Sequence, residues 1–187
     1  MGGPSTNLTK KFNISFIDLP LKPSQSITVK VSANIPSFKG ILLVARTSCL
    51  ENTDASGSFT QYSSDGVNFA NIKNSNVYAF KSCNGSPFGR VTHTNANRKA
   101  FPVYFKWTAP ATDTLVYFDV IVVDSAHNDW TQASGFPVTV GAGIPSNTTL
   151  PHCSREEQIL AESSAPARGF TTFPYVVSSI LMALLLS

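Results

Sequence analysis

Apolar residues recur at every second position through much of this chain, the spacing of a strand that buries one side. Ile27, Val29 and Val31 alternate with Thr28, Lys30 and Ser32, which predicts a half-buried strand over 27–33. Ile14 and Phe16 predict a first strand over 13–19. Phe101, Val103, Phe105 and Trp107 share one side of another, opposite Tyr104 and Lys106. Pro102 has no N–H to give a ladder, so this strand is expected near a sheet edge at its start. The stretch 38–45 is an unbroken apolar run too short for a helix and reads as a central strand. From Thr114 to Asp124 both sides are apolar, Val116, Phe118, Val120 and Val122 against Leu115, Tyr117, Ile121 and Val123, so both faces are expected to be covered. Phe136, Val138 and Val140 predict a last strand over 135–140. Gly, Asn, Ser and Pro clusters separate these runs, and no helical periodicity extends beyond one or two turns. The pattern predicts an all-β chain folded as an antiparallel β-sandwich.

After Gly141 the pattern stops. Residues 142–164 read as a polar stalk, in which Ser154 and Glu157 have the spacing of a helix capping box over 154–161, with an unstructured linker as the equal alternative. Residues 165–187 form a C-terminal tail with no charge after Arg168. The small residues Ser163, Ser164 and Ala165, a short spacer and the apolar run behind them have the layout of a glycosylphosphatidylinositol attachment signal. A single transmembrane pass is the competing reading, weakened by Pro174, two threonines and the Ser178–Ser179 pair. A buried C-terminal helix would need an amphipathic stripe that 175–186 lacks.

Sequons at Asn7, Asn13, Asn84 and Asn147 agree with passage through the secretory route. The first twelve residues lack the apolar core of a secretion signal and are expected to be a divergent or truncated N-terminus. A loose myristoylation pattern at Met1–Thr6 is the minor alternative. With 187 residues there is room for one domain, assigned to 13–141, plus stalk and tail. Aromatics at 11% and charged residues at only 13% favour a sheet-rich extracellular module. A net charge of +3 is no nucleic-acid signature, and the pairs Lys10–Lys11 and Arg98–Lys99 read as solvated turns.

Phe38-Lys39-Gly40-Ile41-Leu42-Leu43-Val44-Ala45-Arg46, Gly57-Ser58-Phe59, Cys83 followed by Val91-Thr92-His93-Thr94-Asn95, and Phe105-Lys106-Trp107-Thr108-Ala109-Pro110 occur in order over 14–140. In these motifs the chain resembles the reeler (reelin N-terminal) domain family. The resemblance implies an immunoglobulin-like sandwich of the kind found in reelin, spondins, insect defence proteins and ferric-chelate reductase-like proteins. The haem-binding parts of the reductases have no counterpart here, so no cofactor is expected. The resemblance also implies that the usual partner of Cys83 lies in an N-terminal Cys-containing segment that this sequence does not show. Cys49 is the alternative partner, a pairing that would stabilise the fold by about 3 to 4 kcal/mol through loop closure. Cys153 lies in the stalk, where it either pairs between chains or pairs with Cys49 or Cys83 and pins the stalk.

The histidines His93, His127 and His152 and the acids Asp113, Asp119 and Asp124 fall in no known catalytic or metal-binding spacing. His93 reads as a structural hydrogen-bonding residue, Trp107 as core, and His127-Asn128-Asp129 as a turn before a surface metal site. No catalytic residue and no metal site are assigned. The expected function is a cell-surface binding or adhesion module on the outside of the plasma membrane, lipid-anchored or single-pass, with a secreted form as the alternative. Its expected partners are an extracellular protein or glycan, or a microbial surface, met through loops in the region 48–76, with the membrane reached through the tail. A defence protein and a reductase-associated fragment are the alternative functions, and fold alone does not choose among them.

Overall fold

The computed structural model describes residues 12–47, 55–81, 86–124 and 130–142. Twelve strands and one short 3-10 helix follow in order: β1 (Phe12–Ile17), β2 (Ser26–Ala33), β3 (Ser37–Phe38), β4 (Gly40–Arg46), β5 (Ser58–Ser63), β6 (Ala70–Asn71), the helix Ile72–Asn74, β7 (Tyr78–Phe80), β8 (Arg90–His93), β9 (Lys99–Ala100), β10 (Val103–Thr108), β11 (Thr114–Val123) and β12 (Trp130–Val140). The first sheet has the order β1-β2-β10-β5-β6, the second β12-β11-β4-β8-β7, and β3 with β9 makes a two-stranded clip. Every strand pairing is antiparallel. A single parallel bridge joins Leu21 to Val140.

The two inner faces are the period-two sets read from the sequence. Ile27, Val29 and Val31 of β2 and Val103, Phe105 and Trp107 of β10 face Ile41, Leu43 and Ala45 of β4 and Val116, Phe118, Val120 and Val122 of β11, all buried. Phe118 joins the layers, its ring 5.1 Å from Phe16, 6.3 Å from Phe59 and 5.0 Å from Trp107, the last two edge to face. Such pairs add about 0.5 to 1.5 kcal/mol each beyond area burial. The Trp107 indole N–H donates to the Ser56 carbonyl at 3.1 Å. Gly57, at φ +62°, lies under the same ring, where a Cβ would meet it at 2.3 Å, so only glycine fits that turn.

Several expectations change. β10 lies in the middle of its sheet, between β2 and β5, not at an edge. Its first paired residue is Val103, so Pro102 sits just outside the ladder and its missing N–H costs nothing. The run 38–45 is divided at Lys39, with Phe38 paired to Lys99 in the clip and Gly40 opening β4. The outer face of the second sheet is only partly covered: Leu42, Val44, Ile121 and Val123 are half-buried, and no described strand or helix lies over them.

The region 48–76, expected to be loop, contains β5, whose Phe59 is buried. A bulge at Thr60 puts Phe59 and Tyr62 on the same inner side, which breaks the alternation that marks a strand. Strand directions also split that region between opposite ends of the sandwich. β4 runs from Gly40, opposite Val123, to Arg46, opposite Tyr117, at the end where β12 finishes. Arg46 and Ser58, described residues on either side of 48–54, therefore both lie at that end. β5 runs the other way, from Ser58 opposite Thr108 to Ser63 opposite Tyr104, and delivers residues 64–69 to the far end.

Candidate functional site

The loop after β5 is built around one carboxylate. Asp65 Oδ1 accepts from the backbone N–H of Val67 and Asn68, both at 2.8 Å, and from the Ser63 hydroxyl at 2.7 Å, while Oδ2 accepts from the Asn68 side-chain amide at 2.7 Å. The buried Ser63 hydroxyl in turn accepts from the N–H of Asp65 and Gly66. These donors, the Ser63 hydroxyl foremost, hold the Asp65 carboxyl well below the usual carboxylate range. Gly66 lies against the Tyr104 ring, where a Cβ would approach to 3.1 Å. The result is a fixed loop with Val67 at its tip, 79% exposed.

The loop borders the outer face of the first sheet, which is polar where the inner face is apolar. Ser32, Lys30, Thr28 and Ser26 of β2 stand beside Tyr104, Lys106 and Thr108 of β10. Lys106 donates to the Thr28 hydroxyl at 2.7 Å, lies 5.0 Å from the Phe69 ring centroid and 3.9 Å from Asp18. Lys30 lies 5.9 Å from the Tyr104 centroid. Ile17 and Leu19, 47% and 53% exposed, flank Asp18. Two lysines, two aromatic rings and hydroxyls on a flat sheet form a surface suited to contact, with hydrogen-bond donors set around apolar edges.

His93, Lys99 and Asp119 hold backbone. His93 Nδ1 accepts the Ile41 N–H at 3.1 Å, and its ring lies on Gly40, where a Cβ would come within 2.7 Å. The neighbouring Thr94 hydroxyl and Asn95 amide both donate to the Asn76 carbonyl. Lys99 is no solvated turn residue, being 8% exposed. Its ammonium donates to the carbonyls of Lys39, Asn95 and Asn97 at 3.0, 2.8 and 2.7 Å, while burial lowers its pKa below the ordinary lysine value. Its partner in the basic pair, Arg98, reaches Asp124 at 3.5 Å on the surface. Arg46 and Asp119 form a buried ion pair on the outer side of the second sheet, and Asp119 also accepts the Gly135 N–H at 2.8 Å where β12 bulges.

Among the described residues no group of His, Cys, Asp and Glu is placed to hold a metal ion, and no helix is long and apolar enough to cross a membrane. Of the residues singled out in the sequence, Asn13 is exposed on β1 and opposite Ser32. Cys49, Cys83, Cys153, Asn7, Asn84, Asn147, His127, His152, Ser163, Ser164 and Ala165 lie outside the described residues, as do the stalk helix 154–161 and the tail. The backbone flanking the first two cysteines converges: Arg46 pairs with Ala55, and the Ser86 N–H donates to the Ala55 carbonyl at 3.0 Å. Sequence reasoning missed the Asp65 loop, the Lys99 cage and the Arg46–Asp119 pair. Only the first carries a local sign, the Asp65-Gly66 turn dipeptide.

These features define an all-β, immunoglobulin-like antiparallel sandwich module. The family model for the Reeler domain matches residues 2–146, and the chain belongs to that family. The crystal structure of the Reelin-N domain of F-spondin shares the fold at 20% identity and a TM-score of 0.51, over 75% of this chain and 93% of that one. A human F-spondin reeler domain, fragment 1, gives 20% identity and a TM-score of 0.50 over 75% and 94%. No curated protein matches the chain.

Proposed function

We propose that this chain is a non-catalytic binding or adhesion module, held on the outside of the plasma membrane through its C-terminal tail. It meets an extracellular protein or glycan through the 64–69 loop and the adjoining outer face of the first sheet. The observation that carries this reading is the Asp65 network, which fixes a loop with Val67 exposed at its tip and Phe69 beside Lys106. Fixing a loop before contact removes part of the ordering cost that binding otherwise imposes. The use of His93, Asp119 and Lys99 to hold backbone, with Arg46 paired to Asp119, supports the non-catalytic half of the reading.

The test has two steps. Full-length protein on animal cells is treated with a phosphatidylinositol-specific phospholipase, and release into the medium is expected. Retention by the cells would replace the lipid anchor by a transmembrane pass. The released protein is then probed against cultured cells, glycan arrays and bacterial surfaces, beside a Val67→Asp variant. Binding to cells or glycans that drops at least tenfold in the variant is expected. Binding confined to bacteria would turn the reading toward defence, and binding untouched by the variant would remove the loop from it.

A further inference from the structure

Among the described residues two open sheets present four edge strands: β1 and β6 in the first, β12 and β7 in the second. An edge strand offers a row of unpaired N–H and C=O groups to any other strand, and secreted sheet proteins blunt such edges by shortness, proline, bulges or charge. Three of the four are blunted in these ways. β6 has two residues and β7 three. β12 is longer, at 11 residues, but contains Pro137 and the bulge at Gly135. β1 has none of these protections. Its six residues, Phe-Asn-Ile-Ser-Phe-Ile, include no proline, glycine or charge, and pair with β2 in unbroken register.

The Asn13-Ile14-Ser15 sequon lies inside that strand. Ile14 points into the core, and Asn13 is exposed on the opposite side. We propose that an N-linked glycan on Asn13 is the guard of the β1 edge, and that without it β1 pairs antiparallel with β1 of a second copy. Asn13 stands on the outer face of this edge strand, so an oligosaccharide on it, far wider than the strand spacing of about 4.8 Å, overhangs the place beside β1 that a second strand would take. A β1–β1 contact about a two-fold axis uses the same strand from both copies and joins the two first sheets into one, so it closes at a dimer.

The inference rests on the secretory reading proposed above, and the experiment separates the two. The full chain is expressed in animal cells behind a heterologous secretion signal, and occupancy at Asn7, Asn13, Asn84 and Asn147 is read by peptide mapping after deglycosylation in heavy-oxygen water. Mass in mild detergent is read by light scattering corrected for detergent and sugar. Occupied Asn13 and the mass of a single chain are expected for the wild type, a twofold mass for Asn13→Gln, and a single chain again for Asn13→Lys, which restores protection by charge instead of sugar. Glycan at other sequons with Asn13 bare overturns this inference alone. Glycan at none of the four overturns the secretory reading with it. An Asn13→Gln protein that is secreted, folded by far-ultraviolet circular dichroism and still single overturns the edge role.

Discussion

His93 and Gly40 act as one unit, because the imidazole that accepts the Ile41 N–H can reach it only while nothing projects from position 40. Gly40→Ala displaces the ring and leaves that amide without its acceptor, a loss of about 1 to 2 kcal/mol expected as a lower midpoint in urea denaturation. The structural reading of His93 was legible because the residue belongs to the Val91-Thr92-His93 motif by which the chain resembles its family, which the structure places at the end of β8. Its partner was not, since 52 residues separate the two. Lys99 was misread for a mixed reason: the carbonyls of Asn95 and Asn97 are close to it in sequence, but that of Lys39, 60 residues away, joins them only where β3 pairs with β9. Tyr78 gives a prediction in pH. Burial, with Tyr62 nearby, raises its phenol above the ordinary tyrosine range. A raised folded-state value means the native state holds the proton longer than the unfolded chain does. The stability this group supports is therefore complete below about pH 10 and is lost as pH rises beyond it. Tyr78→Phe is expected to flatten the fall in melting temperature between about pH 10 and pH 11, and an unchanged slope would show that Tyr78 does not set it.

At the scale of strands, alternation made β1, β2, β10 and β11 legible and left β5 hidden, because its bulge at Thr60 trades an even spacing of inner residues for Phe59 and Tyr62. The bulge between β11 and β12 has a different role. There the Gly135 N–H turns to Asp119, which also holds the buried Arg46 guanidinium. Removing one member of a buried pair strands the other in low dielectric, whereas replacing both with apolar residues does not. Asp119→Ala is expected to cost about 3 kcal/mol or more in denaturation free energy, and the double variant Arg46→Met with Asp119→Leu to recover most of it. Equal losses in the two proteins would mean that the pair is not what the site depends on. The flanks of Cys49 and Cys83 meet through Ala55, each cysteine three residues from a described anchor, Arg46 or Ser86. A Cys49–Cys83 disulfide is the expected pairing in secreted protein. Peptide mapping without reduction checks it, and a Cys153 peptide linked to either cysteine would exclude it.

For the whole molecule, the direction of β12 matters most. It ends at Val140, bridged to Leu21 and opposite Thr114, at the end that holds the turn 109–113 and away from the 64–69 loop. A strand of about six residues spans roughly 20 Å, which sets the separation between the two ends. None of this was visible in the linear sequence, where Ser58 and the 64–69 loop belong to one polar region, yet the fold puts Ser58 with Arg46 at one pole and delivers 64–69 to the other. If the tail holds the protein to a bilayer, the proposed contact surface is presented outward and the 109–113 turn toward the lipid. If 142–164 is the unstructured linker that is one reading of its sequence, its root-mean-square reach is about 25 Å, and the orientation is then a bias and not a fixed pose. A fluorophore at position 67 is therefore expected to be quenched less by a lipid-headgroup quencher than one at position 112, with the difference disappearing once phospholipase has released the protein. Equal quenching before release would show that the domain tumbles freely on its stalk or lies flat on the membrane, and the outward presentation of Val67 would then have to come from the partner's approach instead of from the tether.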